Sequence, residues 1–138
     1  MRSRALLVGA LVLAGCGQKT FSAPVTGRTS AGPDETYTCV KKQLGELGYK
    51  QTSNDAADFR VTGNKFDYKT RRPDVQFRRM VNKLDVGVAA EADGQTSIRV
   101  EGRTFAEYNT HRGPTEEQEK ASAAVNADAA KLIERCRS

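Results

Sequence analysis

Leu84-Asp85-Val86-Gly87-Val88-Ala89-Ala90-Glu91-Ala92-Asp93-Gly94-Gln95-Thr96-Ser97-Ile98-Arg99-Val100-Glu101 is the stretch whose reading decides the fold. Leu84, Val86, Val88 and Ala90 alternate with Asp85, Gly87, Ala89 and Glu91. Ile98 and Val100 alternate with Arg99 and Glu101. A period of two puts one set of side chains on a core face and the other towards water. Asp93-Gly94 supplies a turn. A two-residue turn there would set Val88 against Arg99, apolar opposite charged. A three-residue loop, Ala92-Asp93-Gly94 with Gly94 left-handed, sets Val88 against Ile98 and Val86 against Val100. A slip of one residue flips a strand's faces, so the second register is expected.

Outward from this hairpin, Lys50 to Asn54 reads as a short strand, and Phe59-Arg60-Val61-Thr62 begins another. Gly63-Asn64 has two readings: an irregularity within one strand reaching Tyr68, or a two-residue hairpin pairing Val61 with Phe66. Helices flank the strands. Tyr37, Val40, Leu44 and Leu47 fall on one stripe, with Asp34 as N-cap, Glu35 in the first turn and Gly48 as a left-handed end. The helix is placed at 34–47. A last helix is expected to start at Thr115, with Gln118 completing a capping box. Ala121, Val125, Ala129, Leu132 and Cys136 form its narrow, Ala-rich stripe, which should lie close to its support.

The start of the chain carries a different signal. Met1-Arg2-Ser3-Arg4 is basic, Ala5 to Ala14 is uncharged and mostly aliphatic, and Gly15-Cys16 follows. That is the build of a secretory leader, and the run is too short to span a bilayer as a helix. Leu13-Ala14-Gly15-Cys16 resembles the lipobox of bacterial lipoproteins at every position. The resemblance implies cleavage after Gly15 and a diacylglycerol thioether on Cys16. It also implies a further acyl chain such as palmitate on the new amino group, so that membrane lipid is a partner. Gly17, where an Asp would favour inner-membrane retention, implies an outer-membrane lipoprotein facing the periplasm. An organism without an outer membrane would hold it on the outer face of the plasma membrane. Residues 16–33, rich in Gly, Ser and Pro, read as the lipidated cysteine and a flexible tether, and 34–138 as a single domain.

With Cys16 taken by lipid, Cys39 and Cys136 remain. In an exported domain these two most economically form one disulfide. Two cysteines and one distant His111 do not make a zinc site, so neither metal nor cofactor is expected. A Cys39–Cys136 bond between helices lying side by side requires them to run antiparallel. In a meander an even number of strands between them gives that result, which favours one strand, not two, across Gly63-Asn64. The expected fold is α+β: a four-stranded antiparallel sheet with both helices antiparallel on one face, in the order α-β-β-β-β-α. This order, and Gln43-Leu44-Gly45-Glu46-Leu47-Gly48-Tyr49 leading into strands, looks like small α/β envelope lipoproteins such as those of outer-membrane assembly and lipopolysaccharide transport. That likeness carries no functional residue across.

No catalytic or nucleotide-binding motif stands in the chain. A hydrolase would need His111 gathered with carboxylates in a cleft, and its place in Tyr108-Asn109-Thr110-His111-Arg112-Gly113 reads as a solvated loop. Removing Arg2 and Arg4 with the leader takes the formal charge from +5 to +3, which is too small to imply a partner. One stretch is uneven: Lys65, Lys69, Arg71, Arg72, Arg78, Arg79 and Lys83, interleaved with Phe66, Tyr68 and Phe77. Basic residues with aromatics can hold phosphate-bearing polymers. An envelope location argues against nucleic acid and for anionic glycolipid or wall polymer. Lys and Arg also commonly guard exposed strand edges. The sequence thus points to an envelope lipoprotein that is not an enzyme. Its expected role is a binding or assembly module for an envelope protein, or alternatively a binder of anionic polymer through 65–83.

Overall fold

The computed structural model describes residues 21–137, so the leader and Cys16 lie outside the described residues. The domain is α+β, with a mostly antiparallel sheet and two helices. Its order is β1 (Val25–Thr29), α1 (Pro33–Glu46), β2 (Lys50–Asp55), β3 (Arg60–Asp67), β4 (Phe77–Ala90), β5 (Thr96–Thr110), β6 (Gly113–Glu119) and α2 (Ala123–Cys136). The sheet runs β2-β3-β4-β5, and β5 is long enough for two partners along its far edge. Thr96 to Val100 pairs with β1, and Thr104 to Thr110 pairs with β6.

The deciding hairpin forms in the expected register, with Val88 opposite Ile98 and Val86 opposite Val100. Gly94 is left-handed, with φ 82°. β3 is one strand through Gly63-Asn64. Four strands, however, become six. Val25–Thr29 belongs to the sheet and not to a tether, because Val25, Gly27 and Thr29 stand opposite Val100, Ile98 and Thr96 on the core face. Only residues before 21 remain of the expected tether, and these lie outside the described residues.

The second addition corrects the last helix. Gly113–Glu119 is strand β6, and the helix starts at Ala123 with Ser122 as its N-cap, accepting from the Val125 N–H at 3.1 Å. The Thr115–Gln118 phrase has the chemistry of a helix start, but its backbone groups pair with β5 instead. α1 likewise starts two residues earlier than an Asp34 N-cap implies. Pro33 occupies N1, where its fixed φ suits the helix and its missing N–H costs nothing, and Gly32 caps. At the other end Tyr49 N–H bonds Leu44 O at 3.0 Å and Gly48 N–H bonds Gly45 O at 3.0 Å, the full Schellman pair.

Both helices cover one face of the sheet. Tyr37, Val40 and Leu44 from α1 and Val125, Ala129, Leu132 and Ile133 from α2 pack on Val61, Leu84, Val86, Val88, Ile98 and Val100. Cys39 and Cys136 are disulfide-bonded, with Cα atoms 5.8 Å apart. Tyr49, just past α1, donates to Asp128 in the first half of α2 at 2.9 Å, so the helices run in opposite senses. They do so with five strands between them, against the parity argument. β6 covers only the far half of β5. The chain then steps onto the sheet face at Ser122 and continues in the same direction as α2, without a reversal. Close contact is made possible by small residues: a Cβ on Gly102 would lie 3.0 Å from Val125, and one on Gly63 would lie 3.0 Å from Leu44 and Tyr49.

Candidate anion-binding face

The basic stretch does not form one surface. Lys65 points to the helix side, where its ammonium reaches Leu47 O at 2.9 Å and Asp128 at 3.3 Å. Arg72 makes a two-pronged pair with Glu119 at 2.5 and 2.6 Å and donates to Tyr108. These bonds hold Arg72 protonated beyond its ordinary range and hold the Glu119 carboxyl below its ordinary value. Arg78 and Arg79 both bond Glu107, a carboxylate only 6% exposed. Arg79 also stacks 3.6 Å above the centre of the Phe66 ring. Lys83 bonds Glu116 at 2.6 Å and sits over Phe105. Lys69 and Arg71 stand exposed on the loop between β3 and β4, where no ion pair involves them among the described residues. That loop also carries Val75, 98% exposed.

The carboxylates that pair with these bases lie 28 or more residues away in sequence, and all four come from β5, β6 or α2. The pairing registers reveal the pattern. On the face away from the helices, Phe66, Val81 and Phe105 form one row across β3, β4 and β5. Asn64, Lys83 and Arg103 form the next, then Thr62, Asp85 and Glu101, then Arg60, Gly87 and Arg99. The first rows are closed by Arg79 and Lys83 lying over the aromatic rings.

The last rows are open. A concavity of about 600 Å³ is lined by Arg60, Thr62, Asp85, Gly87, Ser97, Arg99, Glu101 and Arg103 among others. Two of its carboxylates, Asp85 and Glu101, are already engaged. Asp85 accepts from Thr62 at 2.8 Å and pairs with Arg103 at 3.3 Å. Glu101 accepts from Ser22 at 2.8 Å and from Arg103 at 3.1 Å. The Ser22 hydrogen bond first, then Arg103 and the charge of Arg99, hold the Glu101 carboxyl below its ordinary range, against the opposing effect of burial. Arg60 and Arg99 are exposed and in no ion pair among the described residues. Between them lies Gly87, their direct neighbour on both sides. A Cβ there would meet nothing within 4 Å.

Sequence reasoning passed over Arg60, Gly87 and Arg99 because they are far apart in the chain and belong to no charge cluster. Half of the signal was present, since the register setting Val88 against Ile98 also sets Gly87 against Arg99. His111 lies exposed in the β5–β6 turn, at the far end of β5 from this concavity. Among the described residues no group of His, Cys, Asp and Glu is arranged to hold a metal ion. No described helix is long and apolar enough to cross a membrane. No known protein-family model matches the chain, and no curated protein matches it significantly.

Proposed function

We propose that this protein is a lipid-anchored binding module of the bacterial cell envelope, not an enzyme, that offers the open face of its sheet to a ligand. The observation that carries this reading is the one-sidedness of the sheet. Both helices are spent on one face, while among the described residues no element covers the other, which holds a concavity of about 600 Å³. The anchor rests on Leu13-Ala14-Gly15-Cys16, and the Cys39–Cys136 bond accords with an oxidising compartment. Phe21 O accepts from Ala121 N–H at 2.9 Å, so a residue five after Cys16 is already fixed to the domain. Five residues span at most about 18 Å. The domain would then stand close against its membrane, the outer membrane where there is one.

Mass spectrometry of the protein from its native host tests the anchor. Loss of residues 1–15 and a diacylglyceryl mass on Cys16 are expected; an intact leader with unmodified Cys16 overturns it. A second reading, binding of anionic glycolipid or wall polymer through 65–83, is supported at one place. The loop with Lys69, Arg71 and Val75 is joined by the Arg72–Glu119 pair to the edge where Phe21 meets Ala121. It would face the same membrane as the anchor. K69A/R71A should then weaken binding to vesicles containing anionic lipid in a salt-sensitive way; unchanged binding ends that reading.

A further inference from the structure

We infer that Arg60, Gly87 and Arg99 form an oxyanion subsite that takes the phosphate of a phosphate ester, seated over Gly87 between two guanidinium groups. This deepens the binding-module reading, and rests on it only in using the open sheet face; it does not need the lipid anchor.

Three observations converge. First, the two arginines are two strands apart, with backbones about 10 Å from each other, and they share Gly87 as direct neighbour. Side chains leaning inward from both sides can reach one group held between them. Second, the seat is vacant in shape. Every other inward position of these central rows carries a side chain, whereas above Gly87 even a Cβ would meet nothing within 4 Å. Third, unpaired positive charge is available there and nowhere else in the concavity. Arg103 pairs with both Asp85 and Glu101, so its charge is already engaged and those three groups together carry a net charge of −1. Asp58 lines the rim but pairs with neither arginine within ion-pair distance. The two free guanidinium groups present forks of N–H donors, the geometry that binds phosphate with paired hydrogen bonds.

The proposal separates this site from the basic stretch at 65–83, whose guanidinium groups are mostly occupied by Glu107 and Glu119. It therefore predicts which charges matter. The full chain in non-ionic detergent would be titrated calorimetrically at low salt with inorganic phosphate, glycerol 3-phosphate and glycerophosphoglycerol. Saturable binding of at least one ester is expected. R60Q/R99Q should weaken it by roughly tenfold or more. G87V, which fills the seat while keeping both charges, should weaken it as much. K42Q/K131Q, an equal charge change on the two helices, should leave it within roughly twofold. A tighter monoester identifies a soluble phosphate compound, and a tighter diester a lipid headgroup or phosphodiester polymer; either supports the site. Absence of binding, wild-type binding by folded G87V, or a K42Q/K131Q loss equal to that of R60Q/R99Q overturns it. Equal binding of glucuronate overturns the assignment to phosphate. These outcomes are independent of whether Cys16 is acylated, so the subsite and the anchor can fail separately.

Discussion

Glu107 is 6% exposed and stands between Arg78 and Arg79, so its carboxylate has exchanged water for two guanidinium groups. Removing its charge leaves Arg79, 14% exposed, without a counterion. Breaking such a pair costs far more than its net worth suggests. E107Q should lower the unfolding free energy by about 3 kcal/mol, read from the urea midpoint at unchanged slope. The exposed Arg28–Asp93 pair has both partners more than half exposed, and R28A should cost no more than about 1 kcal/mol. Two glycines make the same point about space. G102V forces a side chain against Val125 and its carbonyl, and should cost about 1–3 kcal/mol. G87V enters open space on the other face, where a β-branched residue suits a strand, and should be neutral or stabilising by less than about 1 kcal/mol.

At the scale of elements, the start of α2 can be located by mutation. Ser122 accepts from Val125 N–H and also donates to Asn82. S122A should cost about 1 kcal/mol, as N-cap losses do, whereas T115A on exposed β6 should cost under about 0.5 kcal/mol. The opposite ranking would mean the helix begins at Thr115. This pair also shows which elements were legible in the sequence. The β4–β5 hairpin could be read to the residue, because one face is buried and the register follows from alternation. α1 and the core stripe of α2 were legible for the same reason. β1 and β6 were not. Pro114 to Gln118 is exposed throughout, so its strand is held by backbone bonds to β5 and leaves no side-chain period to detect. The candidate site was harder still. Arg60 is brought to Gly87 by the pairing of β3 with β4, whose register no turn between them specifies.

Across the whole molecule, one covalent link joins the two helices, and a set of distant ion pairs ties strands to one another and to α2. The disulfide closes a span of 97 residues, worth up to about 4–5 kcal/mol in the chain-entropy account. Against a typical total of about 5–15 kcal/mol, its loss leaves little margin. C39A/C136A should therefore melt far below the wild type in calorimetry. The ion pairs add a dependence on acid. Glu119 is held below its ordinary value of 4.5 by its hydrogen bonds to Arg72, and Glu101 below the same value by Ser22 and Arg103. A carboxyl that binds its proton less readily when folded stabilises the fold above the unfolded value. That contribution disappears as pH falls through the lower, folded value, because the unfolded chain takes up protons first. Unfolding free energy should thus be level above about pH 5 and decline below about 4.5. R72M removes the cause at Glu119 without touching Glu101. It should lower stability at neutral pH and flatten the acid decline, so that the two proteins converge at low pH. A constant gap between them from pH 7 to pH 3 would show that Arg72 acts through packing on Phe77 and not through its charge on Glu119.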